Sequence, residues 1–321
     1  MDFKELRYVL TIDEEKSFTR AAQKLFMAQP SLSQYIKRLE DSLGFPLFDR
    51  SRIPLALTDE GEQYVAYARQ ILLLKEEMRR GLEDISRGTG RGNVSLGIPS
   101  VRGSYLLPLM IPHCKKKYPH IEVTLIELPA GNSDELERRL SEGKLDLCIL
   151  SHPTTVEEVA YETIFEERLL LAVPPYYESR LPSGTVAGGK FPLIDLSELK
   201  DQPFILTTRE TRLRRAVERL LSEAGFTPKV IMETNSLETA QKMVSVDYGF
   251  TFAPEMFMRA PFERHCPTYR SILGSDYLWP LLVAHRKGGY LSRATRTLLG
   301  EIKLYCRELL RGELMQMLGY A

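Results

Sequence analysis

The chain has 321 residues, 43% of them apolar and 27% charged, so it exceeds one ordinary domain and reads as two or three folded units of a globular protein. No apolar stretch approaches the roughly 20 residues that span a bilayer, and the charged opening has no signal-peptide core, which points to a cytoplasmic address and no membrane partner. Basic and acidic residues balance at 43 each, so total charge gives no reason for a polyanionic partner; only its local distribution could.

From the N-terminus, Phe3, Leu6, Val9, Leu10 and Ile12 recur at helical spacing over residues 3–15. Ser17 is placed to cap a short helix from Phe18 to Leu25, where Ala21 and Ala22 allow close helix approach. A turn at Phe26 to Ala28 leads to a helix from Gln29 to Leu43. Pro30 sits in its first turn, Leu32, Ile36, Leu39 and Leu43 form its buried stripe, and Gly44 ends it. The charged residues between Lys16 and Leu39 are Lys16, Arg20, Lys24, Lys37 and Arg38, all cations. On charge alone a solvated face is the simpler reading. The stripe, however, leaves Gln29, Ser33, Gln34, Lys37 and Arg38 facing outward, with groups that can read base edges and phosphates. Periodicity does not separate a helix-turn-helix from a three-helix cap.

The wording of the segment adds what periodicity lacks. Ser17-Phe18-Thr19-Arg20-Ala21-Ala22, Gln29-Pro30-Ser31-Leu32-Ser33, Ile36-Lys37-Arg38-Leu39-Glu40, Leu43-Gly44, Leu47-Phe48-Asp49-Arg50 and Leu57-Thr58 resemble the winged helix-turn-helix of LysR-type transcriptional regulators. The resemblance implies that Gln29, Pro30, Ser31, Ser33, Gln34 and Lys37 enter a major groove, with Arg50 and Arg52 serving the wing. Two positions depart from the family pattern. Ala28 replaces a common Ser or Thr cap, and Ile53 replaces a frequent wing arginine.

Thr58 can cap the next helix, with Asp59 and Glu60 at its positive end. Tyr64, Ala68, Ile71, Leu74, Met78, Leu82 and Ile85 then recur at steps of three or four along about thirty residues, roughly 45 Å at the standard rise. Such a seam can pack on the chain's own body or pair with a second copy. The resemblance favours the copy, a homodimer or homotetramer joined through Ala68, Ile71, Leu74, Met78 and Leu82. Ser86 to Gly92 reads as a glycine-rich hinge.

From Asn93 strands alternate with helices. Strands are expected at Val94–Ile98, Ile121–Leu128 and Leu145–Leu150, with helices at Ser104–Tyr118 and Ser133–Gly143. A related order follows: strand Phe204–Leu206, helix Glu210–Ala224, strand Val230–Glu233, helix Leu237–Val246 and strand Phe250–Ala253. Asp146-Leu147-Cys148-Ile149 and Asp247-Tyr248-Gly249-Phe250 also resemble family landmarks. The resemblance implies an α/β two-lobed effector domain similar to periplasmic binding proteins. The expected division is 1–58 for the all-α winged helix-turn-helix and 59–91 for the linker helix and hinge. Lobe I would take 92–155 and 269–321, and lobe II 156–268, with the chain crossing near Ser151 to Val156 and returning near Thr268 to Ile272.

Catalysis finds no support. Gly97-Ile98-Pro99-Ser100-Val101 lacks the second glycine of a nucleophile elbow, and Gly88, Gly90 and Gly92 do not follow a strand. The five histidines form no HExxH pattern, and Cys114, Cys148, Cys266 and Cys306 no CxxC pattern, so no metal or cofactor is expected. Binding finds some. Ser100, Val101 and Arg102 lie at one strand-to-helix turn, and Thr207, Thr208 and Arg209 at its counterpart in the second lobe. Helix N-termini there would suit an anion that arginines grip bidentately. Asn132 and Ser133 occupy a similar turn, although Ser133 before Asp134 and Glu135 also reads as a plain N-cap, and Asn235 with Glu238 as a capping box. Phe250 completes the implied effector set. The chain is thus expected to be a non-enzymatic regulator of a double-stranded DNA operator, with RNA polymerase contact, controlled by a small anionic metabolite between the lobes. A regulator acting through partner contacts alone, a redox sensor using Cys148 and Cys266, and an enzyme with a vestigial helix-turn-helix are the rivals.

Overall fold

The computed structural model describes residues 2–87, 92–129, 131–151, 156–180, 191–259, 267–275 and 277–311. They form two compact units, Met1–Ser86 and Arg87–Ala321. Most of the expected hinge, 88–91, lies outside the described residues, as does 152–155 of the expected lobe crossing.

The first unit opens with α1 (Phe3–Glu15), started by a capping box: the Asp2 carboxylate accepts the Lys4 N–H at 3.1 Å, and the Glu5 carboxylate reaches back to accept the Asp2 N–H at 2.9 Å. Ser17 accepts from the Arg20 N–H and so caps α2 (Phe18–Lys24). The next helix, α3 (Gln29–Leu43), has Pro30 in its first turn and stops at Gly44, whose φ of 86° suits a residue without Cβ. Its stripe Leu32, Ile36 and Leu39 is buried against Val9, Ile12, Ala21 and Ala22. Two short strands, β1 (Phe48–Asp49) and β2 (Ala56–Leu57), pair antiparallel as a wing. The Glu40 carboxylate fixes wing to helix: it accepts the N–H groups of Leu47 at 2.8 Å and Phe48 at 3.3 Å.

Helix α4 (Asp59–Arg87) is capped by Thr58, whose hydroxyl oxygen accepts from Gly61 N at 3.0 Å while its proton goes to the Pro46 carbonyl. The long apolar seam of this helix has two parts. Ala68 is buried and Tyr64 packs on the unit's own core, whereas Leu74, Met78, Leu82 and Ile85 are 60–74% exposed. Ala68 therefore serves the chain's own body, and only the later part of the seam is open.

In the second unit β3 (Gly92–Pro99) leads to α5 (Ser100–Lys117), followed by β4 (Ile121–Leu128), α6 (Ser133–Ser141) and β5 (Leu147–Ser151). Then come the long β6 (Val159–Val173), α7 (Pro175–Glu178), β7 (Leu193–Ile194) and a 3-10 turn at Leu196–Leu199. After these lie β8 (Pro203–Thr207), α8 (Arg212–Glu223), β9 (Lys229–Thr234), α9 (Leu237–Ser245) and β10 (Thr251–Pro254). A 3-10 turn at Glu255–Arg259, β11 (Thr268–Ile272), β12 (Leu278–Arg286) and α10 (Arg293–Arg311) complete it.

The main sheet has the order β4-β3-β5-β12-β6-β11-β7, with β10 also on β6 and β8 paired parallel to β9. Parallel pairing of β3 with β4 and β5 builds lobe I, in which β5 is apolar and buried and the edge strand β4 keeps about half its residues exposed. Strand β6 belongs to both lobes. Val159 to Arg168 pair with β12, and Leu169 to Val173 pair with β10 and β11. The change of lobe thus falls inside β6, about fifteen residues beyond the expected crossing at Ser151 to Val156, because β6 begins as a lobe I strand. The return follows β11 rather than running along it, since all of Thr268 to Ser271 pairs with the lobe II end of β6. Three elements of the frame, β6, β12 and α10, had no counterpart in the expected order. Helix α5 also starts four residues before its expected Ser104, at a stretch where Gly103 lets the Glu127 carboxylate come close.

Gly61 gives the packing its sharpest test. A Cβ there would meet the backbone carbonyl oxygen of Leu47 at 2.0 Å, so Gly61→Ala must shift the wing against α4. We expect it to lower stability by about 1–3 kcal/mol, seen as a lower urea midpoint; an unchanged midpoint would contradict the packing.

Candidate functional site

The outer face of α3 is open. Gln29, Pro30, Ser31, Gln34, Lys37 and Arg38 are exposed and Ser33 is half-buried. Ala28 makes no side-chain cap, so the first-turn N–H groups are left without one. The basic window is smaller than its composition implies. Lys16 pairs with Asp13, Arg20 with Glu15, and Lys24 with Glu14 and Glu15, because the turn after α1 brings its acidic end against α2. Of these five cations, Lys37 and Arg38 have no carboxylate partner among the described residues. On the wing, Arg50 binds Glu40 at 3.0 Å and lies over the Phe18 ring, and Arg52 binds Asp49 at 3.0 Å. Both arginines are largely exposed, so these pairs are worth little and can be exchanged for phosphate.

In the second unit a cleft lies between the lobes, with about 600 Å³ of space unfilled by atoms, part of it open to solvent. Val101 and Arg102 of α5, Gly131 and Ser133 before and on α6, and Ser151 line it from lobe I. Thr207, Thr211, Arg212, Leu213, Leu237 and Phe257 line it from lobe II, with Trp279 on the returning strand.

Both cleft arginines are already held. Arg102 donates to Glu167 Oε1 at 2.6 Å and to Ser151 Oγ at 2.6 Å, while the other Glu167 oxygen accepts the Met256 N–H at 2.6 Å. Burial pushes the Glu167 carboxyl above the ordinary carboxylate range despite the guanidinium beside it. Arg212, the first residue of α8, donates to Glu137 at 2.8 Å, Asp134 at 2.9 Å and the Ser151 carbonyl at 3.0 Å. It therefore ties lobe II to α6 of lobe I.

The structure distributes the expected effector residues unevenly. Val101, Arg102, Ser133 and Thr207 line the cleft, and Ser100 is the first residue of α5 beside them. Asn132 is exposed and caps nothing, and Ser133 is the first helical residue rather than the cap. Thr207 shares its hydroxyl proton with Thr211. Thr208 binds the Thr234 carbonyl through its N–H, and Arg209 points into solvent, 3.9 Å from Glu233. Phe250 is fully buried in the lobe II core with Phe204, Tyr177 and Phe252, away from the cleft. The cap of α9 is Ser236, which accepts from Thr239 N at 3.1 Å, in place of the expected Asn235. Glu167, Glu137, Arg212 and Trp279 escaped the sequence reading. For Trp279, the only tryptophan, its singularity was the available signal.

Comparison with known proteins agrees with both units. Residues 3–62 match the bacterial regulatory helix-turn-helix protein, lysR family, and residues 87–307 match the LysR substrate binding domain. The HTH-type transcriptional regulator YcgK of Bacillus subtilis is 36% identical over 268 residues, covering 81% of this chain and 82% of its own. This chain belongs to the LysR family of transcriptional regulators. The hydrogen peroxide-inducible genes activator of Haemophilus influenzae is 30% identical over 264 residues, covering 80% of this chain and 81% of its own. A full-length OxyR variant from Pseudomonas aeruginosa has the same fold, with a TM-score of 0.65 at 26% identity, covering 95% of this chain and 98% of that one. CbnR in complex with its target DNA shares the fold at a TM-score of 0.54 and 21% identity, covering 95% and 99%.

For this LysR-family regulator no helix among the described residues is long and apolar enough to cross a membrane, and no group of described residues could hold a metal ion. Cys114, Cys148 and Cys306 are buried thiols. Burial pushes Cys114 up to about 11 and Cys306 up to about 12, and raises Cys148 as well. Cys266 lies outside the described residues. Because the thiolate is the reactive form, these three should resist iodoacetamide at pH 7.5 in native protein, as read by peptide mass spectrometry. Rapid labelling of Cys148 would contradict its packing. Glu167→Gln should destabilise the second unit by about 3–5 kcal/mol, since it leaves a buried guanidinium without counter-charge. Thermal unfolding measures this, and adding Arg102→Met should recover most of the loss.

Proposed function

We propose that this LysR-family regulator reads a specific DNA operator with α3 and the wing, and that a small molecule in the inter-lobe cleft controls it. The observation that carries the reading is the outer face of α3: a row of amide, hydroxyl and ammonium groups left exposed by a helix whose other face is fully buried. Gln29, Ser33 and Gln34 supply the base-reading groups, Pro30 and Ser31 the first turn that approaches the groove, and Lys37 a phosphate contact. Arg50 and Arg52, themselves exposed, exchange their carboxylate partners for phosphate and grip the backbone beside the groove. The exposed Leu74, Met78 and Leu82 of α4, with Ile71, pair with the same helix of a second copy, which sets two readers on one operator.

The cleft supports the control reading because Arg212 and the Arg102–Glu167 pair join the two lobes around it. A ligand bound there acts by preferring one lobe arrangement over another. An arginine-gripped anion, the form expected from the sequence, fits less well, since both cleft arginines have carboxylate partners.

The test is fluorescence anisotropy on DNA from upstream of the encoding gene, titrated with salt. Lys37→Ala should weaken binding and reduce the slope of log affinity against log salt by about one. Ser33→Ala with Gln34→Ala should remove sequence preference while keeping the slope. An unchanged slope in Lys37→Ala, together with preserved preference in the double variant, would overturn this use of α3.

A further inference from the structure

The positive charge around the cleft already faces carboxylates of the chain itself. Arg102 pairs with Glu167, and Arg212 with Glu137 and Asp134. The start of α6, where the helix dipole leaves a partial positive charge, has Asp134 and Glu135 in its first turn. The start of α5 has no acid of its own, but the Glu127 carboxylate lies against Gly103 in its first turn. Glu167 and Glu137 have side chains 0% exposed, so taking either arginine for a ligand would strand a buried carboxylate. An anion entering the cleft would therefore have to displace one of these carboxylates. A cation would have to compete with the two guanidinium groups for the same partners.

The hydroxyls of lobe II are engaged as well. Thr211 accepts from Arg214 N and caps α8, and the Thr207 hydroxyl is bonded to that of Thr211. Much of the remaining wall is apolar, formed by Val101, Leu213, Leu237, Phe257 and Trp279. Arg212 is held through its terminal nitrogens, Nη1 on the Ser151 carbonyl and Nη2 on Asp134 and Glu137. Its Nε, by contrast, is buried with no hydrogen-bond acceptor among the described residues, in a side chain 9% exposed that lines the cleft. A buried donor without an acceptor is costly until something outside the fold completes it.

We propose that this cleft takes an uncharged ligand and rejects carboxylates and ammonium ions of the same shape. The apolar body of the ligand lies against Leu213, Leu237, Phe257 and Trp279, and a carbonyl-type acceptor receives the Arg212 Nε–H. The added bond falls on the residue that ties lobe II to α6 of lobe I, so the ligand favours the arrangement in which that tie is made. The proposal rests on the cleft being the effector site, and it gives that site a chemical class.

Trp279 lines the cleft and is the only tryptophan, so its emission reports on the cleft in the full-length chain. The test titrates that emission with methyl pentyl ketone and cyclohexyl methyl ketone. Each is set against its carboxylate (hexanoate, cyclohexanecarboxylate), its hydrocarbon (heptane, ethylcyclohexane) and the amine in which an ammonium group replaces the oxygen. At least one ketone should give a saturable change and bind about tenfold or more tightly than each of its isosteres. Arg212→Lys keeps the cation and lacks the Nε–H, and should bring the ketone-to-hydrocarbon affinity ratio to about one. A merely structural tie, once lost, would weaken ketone and hydrocarbon by the same factor. The wild-type ratios decide the class even if that variant does not fold. A charged isostere that binds as tightly as its ketone, no response to either ketone, or a ketone-to-hydrocarbon ratio unchanged in Arg212→Lys overturns the proposal. If a charged isostere is the one that moves Trp279 emission, the class is wrong and the cleft remains the site. Ketone binding seen by equilibrium dialysis without any change in that emission contradicts the site itself.

Discussion

The second unit depends on one buried ion pair, Arg102 with Glu167. Glu167 sits on β6, the strand that both lobes share, two residues before Leu169, where its pairing passes from β12 to β10 and β11. Its carboxylate accepts the Met256 N–H from lobe II and the Arg102 guanidinium from lobe I, and Arg102 in turn reaches Ser151 at the end of β5. Such a pair adds little net stability over an apolar replacement, but breaking one side of it is costly. Its effect is to fix geometry: the start of α5, the end of β5 and the turn after β10 are set around one point, and the cleft is the space beside it. The same geometry withdraws Arg102 from ligand binding, which is why an arginine at a strand-to-helix turn does not make an anion grip.

The DNA-reading unit uses its charges in a comparable way. Acids at the end of α1 hold Lys16, Arg20 and Lys24, and Glu40 holds the wing through two backbone N–H groups and Arg50. These pairs orient α2, α3 and the wing relative to one another. The groups the fold does not use, on the outer face of α3, are the ones available to a partner. The function proposed for this unit therefore rests on what its packing leaves unengaged, Lys37 and the amides of α3.

Much of this was legible in the sequence where local rules suffice. The bounds of α1 and α3 and the caps Ser17 and Thr58 follow from periodicity and capping chemistry. The strand Ile121–Leu128 was legible for the same reason. The family itself was legible from the wording of residues 17–58. Pairings between distant residues were not. Glu167 looks like one of several alternating charges in Glu162 to Arg168, and only the junction of two ladders in β6 buries it. Arg209 and Arg212 are equivalent in composition. The start of α8 decides between them, since it turns Arg212 toward α6 and leaves Arg209 in solvent. Phe250 and Ala68 carried family or periodic signals, yet packing commits both to cores. Strand β12 escaped because Pro280 interrupts it, a residue tolerated at the register shift beside Leu281.

The most direct test of the central claim, that α3 reads sequence, is DNase I footprinting of the DNA upstream of the encoding gene in excess nonspecific competitor. The account predicts protection of two half-sites on one face of the duplex, spaced by about one helical turn or a multiple of it. Uniform protection, or none at concentrations where the protein binds DNA, would contradict it.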